Sequence, residues 1–224
     1  MRTHSAGNRR AAVFLIAANR GLCGGYNNNV VKLARTRAQE LQDEGYEVAT
    51  FVSGKKPATV LRFLGVELEE TYDHIDDKVS FDEAAEFADR FMKAFTDGEY
   101  DKVEVVFTKY LSAGKQVAHL EPVLPISFEE SEEEQGSQVV NMIFEPSPEI
   151  ILNALLPRSV RIKFYQAFLD AAASEQIARR IAMKNATEAA SDMIKSLKLT
   201  YNRARQAKIT QEIAEIVAGA ASSE

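Results

Sequence analysis

The sequence predicts an α/β fold: a mainly parallel sheet with helices on both faces, followed by a long C-terminal coiled-coil helix. Two observations carry this. Between residues 11 and 110, apolar runs rich in β-formers alternate with segments of helical spacing, the pattern of a parallel sheet whose connections are helices. Beyond Pro148 the only proline before residue 218 is Pro157, and apolar residues recur at Ala190, Met193 or Ile194, Leu197, Tyr201, Ala204, Ile209, Ile213 and Ile216. That is a narrow seam at close to a 3.5-residue period, the spacing of a helix that winds around another helix. The chain is accordingly divided into a Rossmann-like α/β domain, residues 1–145, and a long helix, residues 146–224.

Taken in order, residues 11–17 (Ala-Ala-Val-Phe-Leu-Ile-Ala) read as a strand buried on both faces. Arg9 and Arg10 before this run give it a passing likeness to a secretion signal, but no Ala-x-Ala cleavage site follows. Residues 21–25 form a glycine turn, 30–41 a helix, and 46–52 an alternating strand. Gly54 turns into a short helix at 56–64, and 66–71 is a weak strand. Phe81, Ala84, Ala85, Ala88, Phe91 and Phe95 have helical spacing behind Ser80 as the cap. Residues 101–110 hold another strand, and the domain closes near Pro125. Residues 129–136 are an acidic loop, and 139–144 return as a last strand. Ser147 then caps a helix with Pro148 and Glu149 in its first turn. Pro157 is a place where this helix could kink or divide. About 70 residues at a rise of 1.5 Å would span roughly 105 Å, so the helix is expected to extend past its own domain. Its apolar edge then needs cover from another chain.

Composition sets limits. The chain is 46% apolar and 27% charged with a net charge of −6, ordinary for a globular protein and a poor match to a dedicated nucleic-acid binder. Charge is uneven: positions 67–104 hold fourteen acids and four bases, and positions 158–208 hold eleven bases and four acids. The long helix is therefore basic and would suit an acidic protein surface, nucleic acid or an anionic membrane. One cysteine excludes an internal disulfide, and the three scattered histidines, His4, His74 and His119, make a protein-built zinc site a poor fit.

No catalytic constellation is found. Gly21-Leu22-Cys23-Gly24-Gly25 stands where a dinucleotide turn would stand, but its spacing is not Gly-x-Gly-x-x-Gly and no acid ends the second strand. Ser53-Gly54-Lys55-Lys56 and Ala113-Gly114-Lys115-Gln116 lack the flanking residues of a phosphate loop. Cys23, near a helix start, could be a reactive thiol but reads better as structural. Asp73, Asp76 and Asp77 read as a polar loop rather than a metal cluster. The basic residues Arg179, Arg180, Lys184, Arg203, Arg205 and Lys208 read either as a solvated face or as a charged track for a surrounding protein. Three function classes stay in view: an interaction subunit, a nucleotide-binding α/β module with a helical oligomerisation tail, and a basic helix that grips nucleic acid or lipid.

Several segments decide among these. Arg20-Gly21-Leu22-Cys23-Gly24-Gly25-Tyr26-Asn27, Phe107-Thr108-Lys109-Tyr110-Leu111-Ser112, Ala173-Ser174-Glu175-Gln176, Ala182-Met183-Lys184-Asn185-Ala186-Thr187, Tyr201-Asn202-Arg203-Ala204-Arg205-Gln206 and the run Ile209-Thr210-Gln211-Glu212-Ile213-Ala214-Glu215-Ile216 resemble the gamma subunit of the F-type rotary ATP synthase. The resemblance implies a non-catalytic rotor shaft that turns inside a ring of alternating alpha and beta subunits. It implies further contacts with the epsilon subunit and the c-subunit ring, and nucleotide chemistry only at the beta subunits. It implies no cofactor, no nucleic acid, and membrane contact only through the complex, on the cytoplasmic face of a bacterial inner membrane or its organellar equivalent. It places ring contacts at Arg179, Arg205, Gln206, Thr210 and Glu212.

The family opens with a long basic helix that pairs antiparallel with the C-terminal one. Here Met1 stands almost directly before the first strand, so half of that pair is expected to be absent from this sequence. A shortened gene product, a misplaced start and a one-helix shaft are the three explanations. Because the seam at Met193, Leu197 and Tyr201 calls for a partner helix, the DNA just upstream is predicted to encode an in-frame amphipathic helix. Sequencing that region checks this, and stop codons alone there would count against a misplaced start.

Overall fold

Strand β1 (Arg9–Ile16) is the axis of the sheet, and its last six residues are buried. It pairs in parallel on one side with β2 (Tyr46–Ser53) and on the other with β4 (Lys102–Ser112). β3 (Glu70–Tyr72) extends the sheet beyond β2 in parallel, and β5 (Lys115–Leu124) pairs antiparallel with β4, giving the order β3-β2-β1-β4-β5. This computed structural model describes residues 9–75, 78–126, 145 and 147–221. The acidic loop at 129–136, the strand expected at 139–144, and His4, Asp76 and Asp77 lie outside them.

Alternation along β1 sends its side chains to two cores. Ala11, Val13 and Leu15 face helices α1 (Tyr26–Asp43) and α2 (Lys55–Phe63), through Val30, Val31, Ala34, Leu41, Ala58 and Leu61. Ala12, Phe14 and Ile16 face α3 (Phe81–Asp97) and the start of α4 (Pro148–Ala221). The strand order reverses direction at β1. Crossovers of a single hand then place α1 and α2 on one face and α3 on the other. On the first face the Glu104 carboxylate of β4, 4% exposed, accepts two 2.7 Å bonds from the Arg37 guanidinium, which supplies the charge partner a buried carboxylate requires.

Local chemistry sets the element ends. Ser80 and Glu83 form a capping box at the start of α3, and Gly98 closes it in the left-handed conformation, φ 83°. Ser147 Oγ accepts from the amide of Ile150 at 3.3 Å at the start of α4. α1 begins at Tyr26, earlier than its apolar periodicity suggests. Its first turn is Tyr-Asn-Asn-Asn, low in helix propensity, and Asn27 is spent on the preceding loop, where its Oδ1 accepts from the amide of Ala18 at 3.0 Å. β3 is only three residues long. Residues 113 and 114, phosphate-loop-like in sequence, are the turn of the β4–β5 hairpin. Pro157 does not divide α4, which runs as one helix of 74 residues.

By its contacts the chain forms two compact units, Met1–Arg179 and Arg180–Glu224. The first holds the sheet, α1 to α3 and the root of α4. There Val160, Phe164, Ala167, Phe168 and Ala171 recur on one face of α4 and join the core around Phe14. The second is the remainder of α4, and its large apolar residues are exposed: Met193 by 66%, Leu197 by 61%, Tyr201 by 67% and Ile216 by 72%. Exposed backbone bonds over an uncovered apolar edge open readily. In the isolated chain, hydrogen exchange followed by mass spectrometry is predicted to run about a hundredfold faster over 185–215 than over 160–175.

Gly54 carries a second prediction. It has φ 118°, its amide donates to the Tyr72 carbonyl at 2.9 Å, and a Cβ placed on it would stand 2.5 Å from the Ala17 carbonyl oxygen. Gly65 has φ 76° with open space around it. Gly65→Ala should therefore cost about 1 kcal/mol, from the left-handed backbone alone, whereas Gly54→Ala should cost about 3 kcal/mol or more because the loops after β1 and β2 must part. Urea unfolding of the two variants checks the difference.

Candidate functional site

In open α/β sheets, ligands enter the crevice beyond the carboxyl ends of the strands where the strand order reverses. Here that crevice lies past β1, and the molecule's own parts fill it. Asn19 Nδ2 donates to the Ile75 carbonyl at 2.7 Å, and its Oδ1 accepts from the Lys55 amide at 3.0 Å. Phe168, Ala171, Ala172 and Glu175 of α4 cover the opening, and the Tyr26 hydroxyl donates to the Ala171 carbonyl at 3.0 Å. What is left is a cavity of about 30 Å³, the room of one water molecule. A dinucleotide does not fit it. The glycine turn is structural: Gly24 takes φ 59°, Leu22 is a non-glycine residue at φ 65°, and Gly25 stands at the head of α1.

Cys23 is buried in this turn, its Sγ 3.3 Å from Asn27 Nδ2 and 3.8 Å from the Arg20 carbonyl. Burial pushes the thiol above its ordinary pKa, and nearby Glu175 adds to the effect while Arg179 opposes it. A thiol held protonated at neutral pH is not a nucleophile. Asp73 pairs with Lys55 at 3.7 Å. Among the described residues no group of three metal-ligating side chains comes together.

The residues expected to touch a surrounding ring lie on α4. Arg179 belongs to the first unit, and its Nη2 donates to Glu175 Oε1 one turn earlier at 2.6 Å. Glu175 is 6% exposed, so this pair holds the guanidinium near Cys23. Sequence reasoning did not single out the exposed Leu22, at φ 65°, or the buried Glu175. The first needs a backbone angle and the second a burial value, and neither is legible in one chain. Arg205, Gln206, Thr210 and Glu212 are exposed in the second unit, within about 10 Å of helix. Glu212 lies 4.0 Å from Lys208. The structure thus brings four of the five together and holds the fifth by contacts of its own.

The seam beside them is shaped as well as apolar. Ile194, Leu197, Lys198 and Tyr201 line a hollow of about 260 Å³. Residues at i, i+3, i+4 and i+7 form the four-cornered hole that receives a knob from a facing helix.

Known proteins with the same features bear on identity. A family model described as ATP synthase matches residues 1–222. The ATP synthase gamma chain of Leptospira biflexa is 46% identical over 212 residues, which is 95% of this chain and 73% of that one. The gamma chain of Rhodopirellula baltica is 42% identical over 212 residues, 92% of this chain and 72% of its own. In fold, the chain is similar to a chain in the structure of the Euglena gracilis mitochondrial ATP synthase OSCP/F1/c-ring, with TM-score 0.67 at 19% identity over 96% of this chain and 73% of that one. It is also similar to one in the Tetrahymena thermophila mitochondrial ATP synthase central stalk and c-ring, with TM-score 0.59 at 22% identity over 83% and 80%. A family model that spans almost the whole chain, and relatives more than 40% identical across nine-tenths of it, establish that the chain belongs to the ATP synthase gamma-chain family.

Proposed function

We propose that this chain is the central rotor shaft of an F-type ATP synthase, coupling transmembrane proton flow to ATP synthesis or hydrolysis at the beta subunits. One observation supports this most: α4 runs 74 residues and leaves an apolar seam, with a knob-sized hollow, uncovered along its second unit. Such an edge is built to be covered by other chains. The partners are the alpha and beta subunits around the helix, and the epsilon subunit and c-ring at the α/β domain. In functional terms residues 1–145 are that domain and 146–224 the shaft, with its root embedded in the domain.

The shaft performs no bond chemistry. It works by differential contact: an asymmetric helix offers each beta subunit a different surface at each angle, and an equilibrium shifts only as far as those contacts differ. Arg205 offers several N–H donors and Gln206 both an amide donor and an accepting oxygen, so each can exchange hydrogen bonds at a ring wall for equivalent ones after a step. Thr210 and Glu212 continue the same stretch, and Arg179, braced by Glu175, meets the ring nearer the domain. No helix among the described residues is long and apolar enough to cross a membrane. In the rotor reading, attachment is through the complex, at the cytoplasmic face of a bacterial inner membrane or its organellar counterpart.

Reconstitution with alpha and beta subunits tests the reading. The unaltered chain should assemble with them and support ATP turnover. Arg205→Ala combined with Gln206→Ala should lower turnover roughly tenfold, the effect of about 1.4 kcal/mol of lost contact. Unchanged turnover and torque in an assembled complex would remove those residues from the contact. Tight binding of a nucleotide by the isolated chain in equilibrium dialysis would instead favour a nucleotide-binding module with a helical tail.

A further inference from the structure

The root of α4 touches the sheet unit along one stripe and two flanks. The stripe is apolar: Val160, Phe164, Ala167, Phe168 and Ala171. Apolar contact has no direction, so it opposes separation more than it opposes turning about the helix axis. Directional bonds stand beside it on opposite sides. At about 100° per residue, Arg161 lies about 60° to one side of Phe164, and Lys163 about 100° to the other.

Arg161 Nε and Nη2 donate to the two carboxylate oxygens of Asp89 on α3 at 2.7 and 3.0 Å. On the opposite flank Lys163 Nζ donates to Glu121 Oε1 of β5 at 2.7 Å, and His119 Nε2 lies 3.2 Å from the other oxygen. Burial acts to raise the Glu121 carboxyl, but the bonds to Lys163 and His119 outweigh it and hold its pKa below the usual range. Farther along the same flank, Ser174 Oγ donates to the Thr108 carbonyl of β4 at 3.2 Å, in a buried setting. The Tyr26 hydroxyl, also buried, holds α4 by a main-chain carbonyl, that of Ala171, and so grips the helix itself rather than a side chain.

We propose that Arg161, Lys163, Ser174 and Tyr26 form a two-sided clamp that carries torque between the sheet and the root of α4. Rolling the helix one way lifts Arg161 from Asp89; rolling it the other way lifts Lys163 from Glu121 and Ser174 from Thr108. The ion pairs are partly exposed and contribute little to overall stability. What they add is stiffness against rotation in both senses. The proposal rests on the rotor reading above.

The test uses the full chain assembled with alpha and beta subunits, the ring fixed to a surface and a bead attached to the sheet domain. With the motor arrested, the thermal angular fluctuation of the bead reports torsional stiffness. R161Q combined with K163Q should raise the angular variance about twofold, because two of the four clamping side chains lose their bonds, while unloaded ATP turnover stays at the unaltered level. Y26F should raise the variance in the same direction. R161D combined with D89R rebuilds one arm with its charges exchanged and should restore most of the lost stiffness, which a merely structural defect would not permit. Unchanged variance in both R161Q/K163Q and Y26F overturns the clamp. An unaltered chain that fails to enter the ring overturns the rotor reading, and the clamp with it, before any variant is compared.

Discussion

Phe14 of β1 and the Phe164–Phe168 pair of α4 make the contact on which the first unit depends. The Phe14 ring lies 6.0 Å from Phe164 and 5.9 Å from Phe168, and its other neighbours Tyr72, Phe87 and Phe91 lie between 5.4 and 6.0 Å away. Five aromatic neighbours around one buried ring bring β1, β3, α3 and α4 to a common point. Removing any of them leaves a cavity that rigid elements cannot close. Because the root of α4 is part of this core, it cannot detach without opening the face of the sheet. A helix that must leave its second unit uncovered can do so only if its first part is secured in this way.

The same packing explains why an α/β architecture used elsewhere for ligands serves a mechanical purpose here. The crevice beyond β1 is occupied by Phe168, Ala171, Ala172 and Glu175. The glycine turn, which would otherwise wrap a phosphate, wraps Cys23 and leads into Tyr26, whose hydroxyl ends on α4. Residues that would bind a cofactor in a dinucleotide fold are thus engaged in fastening a helix.

Much of this was legible in the sequence wherever local chemistry decides. β1 and β2 announced themselves by runs of buried-strand composition, and α3 by its period and its Ser80–Glu83 box. β5 was not legible. It is an edge strand with Pro122 inside it and Gln116, His119 and Glu121 among its apolar residues, so its alternation is broken and its partner is needed to define it. The first turn of α1 was hidden because three asparagines look like a loop. The passage of α4 through Pro157 depends on packing rather than propensity. The proposed contact residues rest on family resemblance, since nothing in the spacing of Arg205, Gln206, Thr210 and Glu212 marks them apart from any solvated helix face. Pairs such as Tyr26 with Ala171 join positions far apart in the chain and are set by the tertiary fold alone.

The hollow lined by Ile194, Leu197, Lys198 and Tyr201 has an effect beyond adhesion. A smooth greasy stripe would let a companion helix glide lengthwise, but a hollow bounded by four side chains favours one seated protrusion. A slip of one helical turn, about 5.4 Å, would strand that protrusion against a ridge. A companion seated in this hollow would be held at one lengthwise position beside residues 194–201.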